Sequence, residues 1–283
     1  GRAEQIIPLK NIYNYLHMNK ILNNIIISKR REVEEKKKLK LFFSEYELFN
    51  KKPNISLVNK LKSDEVNIIA EFKRRSPSGF QINPGFSIEE ILSSYLLNGA
   101  AGISVLTDSD FFGGSLEDLS FASAKADLPA LRKDFIIDEY QIYESKAAGA
   151  DVILLIAAIL KPEEVKRFSA IAKQLSLEVL LEIRNERELD LYYNNDVDIV
   201  GVNNRNLDSL ETDINNSFGL AEKIPTGIIK ISESGIENGE QLADLMAAGY
   251  NGFLIGHSLL EKPDPGLALH RLINSSKKFQ YEN

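Results

Sequence analysis

The sequence predicts an α/β fold, a (β/α)8 barrel or TIM barrel that follows an N-terminal helical extension. In residues 65–283, short apolar runs alternate with longer amphipathic segments, which is typical of parallel strands covered by helices. Eight such runs fit into about 220 residues, as a closed barrel requires. A doubly wound sheet is the alternative. It normally has fewer strands and often carries Gly-x-Gly-x-x-Gly after its first strand, a motif this sequence lacks.

Residues 1–64 have a different texture, rich in Lys, Glu and Asn, and form the predicted extension and linker. Apolar side chains and one lysine recur there at the spacing of an amphipathic helix. These positions are Leu22, Ile26, Lys29 and Val33. The charged run at 34–38 is expected to be a solvated helix face, with a polyanion-binding patch as the alternative. Residues 51–54 indicate a linker before the barrel.

The eight predicted strands are short and mostly apolar. They span residues 67–71, 102–106, 129–133, 152–156, 178–182, 199–203, 228–232 and 252–255. Helical patterns lie between them, for example at 88–92, 139–143 and 162–165. This alternation of strand and helix predicts parallel strand order around the barrel.

Composition excludes several classes of protein. A hydrophobic fraction of 43% excludes a disordered chain, and the absence of Cys excludes disulfides, thiolate metal sites and a cysteine nucleophile. The net charge of −7 argues against general nucleic-acid binding, and no apolar run approaches the roughly 20 residues of a membrane span. The three histidines, His17, His257 and His270, lack the spacing of a metal site.

The start of the chain, Gly1-Arg2-Ala3-Glu4, has neither Met nor an apolar signal core, so trimming at this end is expected. We predict a cytoplasmic protein. A plastid location stays open as the alternative, if a transit segment preceded Gly1.

Charged side chains stand where several predicted strands end, and catalytic residues of barrels come from these ends. Because side chains alternate along a strand, Glu71 and Lys73 share a face, as do Asn203 and Arg205. The set that would meet in one barrel mouth is Glu71, Lys73, Lys133, Glu182, Asn203 and Arg205. Uncompensated charge is costly there, so the set as a whole indicates a functional site.

The ends of the last two strands indicate a phosphate site. Ser234-Gly235 and Gly256-His257 each place a glycine where backbone N–H groups can approach an anion. The corresponding loops are the usual phosphate site of barrels of this kind. A Schiff-base aldolase remains an alternative, with Lys73, Lys133 and Lys230 as candidates by position. Another phosphosugar isomerase and a non-catalytic phosphosugar-binding barrel also stay open as alternatives.

With these residues in view, the sequence resembles the indole-3-glycerol phosphate synthases of tryptophan biosynthesis, from about Ile21 to Leu260. The most specific block is Glu-x-Lys-x-x-Ser-Pro-Ser, which runs from Glu71 to Ser78. The blocks that carry the resemblance are 69–78, 104–108, 111–115, 131–135, Glu182, 201–207 and 232–236.

The resemblance implies a carboxy-lyase that needs neither cofactor nor metal. Its substrate would be 1-(2-carboxyphenylamino)-1-deoxyribulose 5-phosphate, and its products indole-3-glycerol phosphate, CO₂ and water. The only partner implied is this phosphosugar, with no nucleic acid and no membrane, and the protein is expected as a monomer or a weak homodimer. The resemblance also implies that the extension lies over the C-terminal face of the barrel.

Residue roles follow from the resemblance. It implies Lys133 as general acid at the ribulose carbonyl and Glu182 as base in the dehydration. Lys73 would assist acid catalysis and hold anionic groups of the substrate. The other implied contacts are Glu71 and Asn203 with hydroxyls, Arg205 and Ser76 with the carboxylate, Ser234, Gly235, Gly256 and His257 with the phosphate, and Phe112, Phe135, Leu131 and Leu207 with the aryl ring.

Two positions depart from the family pattern. Gly79-Phe80 follows Ser78, where the family usually carries one residue and then Gly, so the first loop is expected to have its own shape. His257 follows Gly256, where Ser or Glu is common. The phosphate contact there is expected through backbone N–H, which puts only a side-chain role of His257 in question.

Overall fold

The structure is a computed structural model that describes residues 20–40, 42–49, 53–206 and 211–280. The described residues form a closed barrel of eight parallel strands in sequence order, which confirms the predicted fold. The strands are β1 Ile68–Phe72, β2 Gly102–Leu106, β3 Ala130–Lys133, β4 Val152–Ile156, β5 Glu178–Ile183, β6 Ile199–Asn203, β7 Ile229–Glu233 and β8 Gly252–Ile255.

Helices precede the barrel and connect its strands. Those of the described extension are α1 Lys20–Leu39, α2 Glu45–Phe49 and α3 Leu57–Leu61. Those of the barrel are α4 Ile88–Leu97, α5 Ser109–Phe112, α6 Leu116–Lys125, α7 Glu139–Ala148, α8 Pro162–Gln174, α9 Glu186–Tyr192, α10 Asn215–Leu220, α11 Gly239–Ala247, α12 His257–Leu260 and α13 Pro265–Gln280.

Local sequence explains where the barrel helices begin. Ser87 caps α4 by accepting a hydrogen bond from the Glu90 backbone, and the Glu90 side chain accepts one from the Ser87 N–H in return. Asp138 and Gln141 form the same reciprocal arrangement at α7. Such caps satisfy N–H groups that have no partner within the helix. The caps therefore fix the residue at which each of these loops ends and its helix begins.

The barrel interior is filled by apolar side chains below the mouth. β4 is buried along its whole length, as expected for a strand covered on both faces. The interior cluster contains Ile69, Leu131, Val152, Leu154, Leu180, Ile199, Ile231 and Leu254. Charged residues take their place at the C-terminal ends of several strands, so the polar mouth stands on an apolar layer.

Helix α1 packs on the barrel at its C-terminal face. Its apolar stripe is buried, and Lys29 reaches Asp108 and Asp134, which follow β2 and β3. The charged run is only partly solvated. Lys36 lies 2.9 Å from Glu144, and Lys37 also binds a barrel carboxylate. Two of the lysines in this run therefore attach the extension to the barrel.

Helix α3 closes the opposite end of the barrel. Leu57 and Leu61 are fully buried and belong to the interior apolar cluster. Glu178, at the start of β5, accepts hydrogen bonds from the N–H groups of Leu57 and Val58 and thereby caps α3. The extension thus contacts both ends of the barrel. The predicted domain boundary between residues 64 and 65 stays a prediction.

None of the helices within the described ranges is long and apolar enough to cross a membrane.

Candidate active site

Lys133 lies at the centre of the barrel mouth, between two buried carboxylates. Its Nζ is 3.3 Å from Glu182 Oε2 on β5 and 3.5 Å from Glu233 Oε2 on β7. The two glutamate side chains are 3% and 2% exposed, whereas that of Lys133 is 16% exposed. Lys133 is therefore the member of this trio whose side chain is the most exposed to solvent.

A second ion pair stands at the end of β1. The Lys73 Nζ donates a hydrogen bond of 2.7 Å to Glu71 Oε1, and both side chains are largely buried. Gly256, after β8, makes room for this pair, since a Cβ there would lie 2.4 Å from Glu71 Oε1. The glycine at the predicted phosphate loop is therefore also required by the Glu71 carboxylate beside it.

The charges of these groups stabilise one another. Burial would lower the pKa of Lys133, but Glu182, Glu233 and Glu71 outweigh it and raise that pKa above its ordinary value. Burial would likewise raise the pKa of Glu71, but Lys73, Lys133 and Arg205 lower it. Lys133 is thus protonated and Glu71 ionised at neutral pH in the unliganded site.

Glu233 is the site residue that the sequence analysis missed. Burial, together with the nearby charges of Glu182 and Glu71, raises its pKa to about 8, despite the opposing effect of Lys133. Its Oε1 is buried and has no hydrogen-bond partner among the described residues. The signal was available, because Glu233 is next to Ser234, but the predicted strand ended at residue 232. In the structure β7 extends to Glu233, which pairs in register with Asn203.

Asn203 ends β6, and Arg205 lies two residues beyond it in a tight turn. Asn203 is buried, and its Oδ1 accepts a hydrogen bond of 2.9 Å from the Arg205 N–H. Across the mouth, the Ser76 backbone N–H bonds the Phe80 carbonyl, and the Ser76 hydroxyl lies 2.8 Å from that of Ser78. Asn203 thus sets the direction in which Arg205 leaves the strand. Leu207, predicted to contact the aryl ring, lies outside the described residues.

The predicted phosphate loops follow β7 and β8. The backbone of the first of them has a conformation that would let a ligand come close to its N–H groups. Ser234 and Gly235 adopt φ values of 70° and 76°, a left-handed conformation that is uncommon for serine. The His257 ring is about half exposed and 3.0 Å from Glu261. The Phe80 ring packs against the His257 ring in an edge-on contact, with ring centroids 5.2 Å apart.

Phe80 connects the first loop to the predicted phosphate loop. Although it follows Gly79, which has a φ of 92°, its ring is 7% exposed. The ring also lies 5.8 Å from the Lys73 Nζ, a cation–π distance. The departure Gly79-Phe80 therefore folds the loop inward, with the aromatic ring between Lys73 and His257.

Phe112 and Phe135 form an apolar wall beside the charged groups, which we call the aryl wall. Their ring centroids are 6.1 Å apart, and both side chains are partly buried. Leu131 is fully buried in the interior cluster, two residues before Lys133 on the same face of β3. Leu131 thus lies below the mouth, and the exposed apolar contact falls to the two phenylalanines.

Lys230 points away from the mouth. Its ammonium group donates to the carbonyl of Ala221 and lies 5.6 Å from the Tyr250 ring, on the outside of β7. This removes Lys230 from the Schiff-base candidates, because a reacting lysine must face the substrate. In the part of the chain that the structure describes, no group of three or more His, Cys, Asp or Glu side chains has the arrangement of a metal site.

Comparison with solved structures supports the fold. The chain is similar to 3-hexulose-6-phosphate synthase of Salmonella typhimurium, with a TM-score of 0.60 at 11% identity over 75% of this chain and 99% of that one. It is also similar to tryptophan synthase subunit alpha of Legionella pneumophila, with a TM-score of 0.57 at 16% identity over 80% of this chain and 97% of that one. At these identities the likeness concerns the barrel alone.

Sequence comparison is far more specific. A protein of Bacteroides thetaiotaomicron named indole-3-glycerol phosphate synthase is 46% identical over 91% of this chain and 99% of its own length. A protein of the same name from Dechloromonas aromatica is 40% identical over 90% of this chain and 99% of its own. The profile of the indole-3-glycerol phosphate synthase family matches residues 22–272. The chain therefore belongs to the indole-3-glycerol phosphate synthase family, as its strand-end residues predicted.

Proposed function

We propose that this barrel catalyses the reaction for which its relatives are named, the formation of indole-3-glycerol phosphate from 1-(2-carboxyphenylamino)-1-deoxyribulose 5-phosphate. The observation that carries the proposal is the position of Lys133, an accessible ammonium group 3.3 Å and 3.5 Å from two buried carboxylates. Ring closure onto a ketone needs a proton donor at the oxygen, and the later loss of water needs a proton acceptor.

Ring closure is the step assigned to Lys133. The ring carbon that bears the carboxylate attacks the ketone carbon, and the ketone oxygen takes a proton from the Lys133 ammonium. The C–CO₂⁻ bond then breaks, and its electron pair restores the aromatic ring as CO₂ leaves. Neighbouring carboxylates stabilise Lys133 as a cation, so the proton is present when substrate binds. Fixed charges in such a mouth also stabilise developing charge.

Dehydration is assigned to Glu182 as proton acceptor. The new hydroxyl leaves as water with a proton, while Glu182 removes a proton from the neighbouring CH₂ group. Glu233 adds a second acid–base group that holds a proton at neutral pH because its pKa is about 8. Its Oε2 is 3.5 Å from Lys133, so we assign it proton exchange with that lysine. Lys73 supports the acid chemistry, with Glu71 and Asn203 bonding substrate hydroxyls.

The substrate's two anionic ends have separate places in this proposal. Arg205 and Ser76 would bind the carboxylate. The loops after β7 and β8, through Ser234, Gly235, Gly256 and His257, would bind the phosphate by backbone N–H groups. Phe112 and Phe135 would pack against the aryl ring, with Leu131 beneath and Leu207 as a further predicted contact.

The test is direct. Purified protein is mixed with the substrate in EDTA and indole fluorescence is followed, against a low background because the chain has no Trp. A rising signal is expected, and a flat signal from folded protein beside an active reference enzyme would overturn the proposal. Lys133→Ala and Glu182→Gln are expected to lower kcat by about 10²–10⁴-fold. Lys230→Ala, a lysine on the outer face of β7, is the matched control and should retain the wild-type rate.

A Schiff-base aldolase would use the same mouth differently. It needs a neutral lysine, yet Lys133 lies between carboxylates that raise its pKa, and Lys73 is ion-paired with Glu71. These contacts favour the acid–base reaction over amine attack. Borohydride treatment in the presence of substrate should therefore leave the mass of the protein unchanged, whereas a trapped adduct on a lysine would support the aldolase.

We further propose that the protein acts in the cytoplasm as a monomer or a weak homodimer and needs no cofactor. The catalytic groups assigned above all lie in one barrel mouth. The proposed chemistry therefore needs no residue from a second copy of the chain. Sedimentation across a range of protein concentrations tests the oligomeric state. Because one chain carries the whole proposed site, we expect kcat to be independent of protein concentration.

A further inference from the structure

Helix α1 places a buried cation behind the aryl wall. Lys29 is 1% exposed, and its Nζ lies 3.0 Å from Asp108 Oδ2 and 2.9 Å from Asp134 Oδ1. Glu32, one turn later on α1, is the third neighbour at 2.6 Å. An ammonium group carries three protons, and each has a carboxylate within reach. Burying a charge is costly unless it is paired. The ion pairs of Lys29 are therefore needed wherever the extension packs on the barrel.

The two barrel carboxylates each hold a backbone amide next to a ring of the aryl wall. Asp108 caps α5, because its Oδ1 accepts a hydrogen bond of 2.8 Å from the Phe111 N–H. Asp134 directly follows Lys133, and its Oδ1 accepts a hydrogen bond of 2.8 Å from the Phe135 N–H. One ammonium group therefore joins the loop after β2 to the loop after β3.

We propose that Lys29 is a positioning residue that sets the spacing between Phe112 and Phe135 and thereby shapes the slot for the aryl ring of the substrate. The inference rests on the proposed function. A second contact of α1 supports it, because the Ser28 hydroxyl donates to the Asp110 carboxylate on α5. The extension thus fixes α5, which carries Phe112, at two successive helix positions.

Removal of Lys29 need not unfold the barrel, since Asp134 has a second cation. Arg132 is fully buried and binds Asp134 at 3.0 Å and Glu144 at 2.8 Å. It also donates to the carbonyl of Gln141 on α7. Arg132 therefore holds β3 to α7 without α1. Arg132 also donates to the Thr107 hydroxyl, which in turn donates to Asp134, so the end of β2 keeps its own contact with this network. Lys29 is the cation that pairs directly with Asp108, the cap of α5.

The test compares two probes on Lys29→Met. The first is the substrate with its ketone reduced to an alcohol, which keeps the aryl ring and phosphate but cannot close its ring. The second is inorganic phosphate, which needs only the loops after β7 and β8. In Lys29→Met, KM for the substrate and Kd for the reduced analogue should rise about tenfold, equal to about 1.4 kcal/mol. Kd for phosphate should stay unchanged, and kcat should change less than KM.

Two variants on the same helix sharpen the result. Lys29→Arg keeps the charge and should restore most of the affinity for the analogue. Lys37→Met removes an ion pair between α1 and Asp138, the N-cap of α7. It leaves the pairs of Lys29 with Asp108 and Asp134 intact and should leave both Kd values at wild type. Equal weakening of both probes in Lys29→Met, or no weakening, would overturn the proposal.

If Lys29→Met does not fold, Asp108→Asn decides. Asn keeps an oxygen to cap α5 but loses the charge that faces Lys29. A selective loss of affinity for the analogue is expected, and wild-type affinity would contradict the role of Lys29. Binding of the reduced analogue does not require turnover. A wild-type protein that binds it but forms no indole would therefore refute the proposed function while leaving the slot open to this test.

Discussion

Gly201 on β6 and Gly256 after β8 lie beside the carboxylates of Glu233 and Glu71. A Cβ at Gly201 would stand 2.2 Å from Glu233 Oε1, and one at Gly256 would stand 2.4 Å from Glu71 Oε1. Gly201 is in register with Glu182 on one side and Ile231 on the other. The absence of a side chain at these positions is therefore what allows three glutamates to share the mouth with two lysines.

Gly201→Ala should displace the Glu233 carboxylate and lower kcat by about tenfold or more, because acid–base groups act only in the correct position. KM should change little, since the phosphate and aryl contacts lie elsewhere. Steady-state kinetics test this. Gly219→Ala is the matched control, because a Cβ there meets nothing within 4 Å, and it should retain wild-type kinetics. Unchanged kcat in Gly201→Ala would refute the positional requirement.

At the residue scale, the sequence predicted most members of the site but not their charge states. Alternation along strands brought Glu71, Lys73, Lys133 and Glu182 into one mouth. The pKa of Lys133 could not be predicted, because burial and neighbouring carboxylates act in opposite directions and only distances decide between them. Glu233 was missed because a charged residue at the end of an apolar run does not show whether it still belongs to the strand.

Helix α3 shows how a short element stabilises the barrel at the end away from the chemistry. Leu61 is fully buried, and its Cδ2 would lie 2.6 Å from a Cβ at Gly252 on β8. The segment at 57–61, Leu-Val-Asn-Lys-Leu, is too short to distinguish a helix from a strand by periodicity. Its place at the barrel floor depends on Glu178, a partner far along the sequence.

Leu61→Ala should lower the free energy of unfolding by about 2–5 kcal/mol, since it leaves a cavity in the interior cluster. Its kcat/KM should equal that of wild type at temperatures where the variant is folded, because the mouth is at the other end. Urea unfolding and steady-state assays measure the two effects. Leu97→Ala, at a position 83% exposed, is the control and should change neither. A loss of activity in folded Leu61→Ala would mean that the floor and the mouth are coupled.

The elements themselves were largely predictable. Four strands, β2, β4, β6 and β8, have the predicted bounds. β3 and β5 differ by one residue at one end, and β1 and β7 are shifted by one residue at both ends. Lys29 was correctly grouped with the apolar stripe of α1. Its carboxylate partners were not predictable, because they come from two loops that only barrel closure brings together.

Across the whole molecule, buried carboxylates make the free energy of unfolding depend on pH, and they do so in two opposite directions. The pKa of Glu233 is about 8 against an ordinary 4.5, so its contribution is complete below about pH 4.5 and is lost as pH rises through 8. The pKa values of Glu71 and Asp134 are lowered, by ion pairs that outweigh burial. Their contributions are present above the ordinary values of 4.5 and 3.8 and are lost as pH falls.

We therefore expect the melting temperature to peak on the acidic side of neutrality and to fall between about pH 4.5 and pH 8. Glu233→Gln cannot ionise, so its melting temperature should fall less over the same interval. Thermal unfolding of both proteins across this range measures the difference. Parallel curves would contradict the raised pKa of Glu233.

The extension that contacts both ends of the barrel is synthesised before the barrel itself. Lys29 emerges long before Asp108 and Asp134, and Leu61 long before the β8 glycine beneath which it packs. At about 5–20 residues per second, the interval before β8 emerges is on the order of ten seconds or more. During that time the basic, amphipathic segment of α1 lacks the barrel residues that it packs against in the folded protein. The last strand of the barrel thus completes the contacts of a segment made well before it, and until then the apolar side chains of that segment stay uncovered.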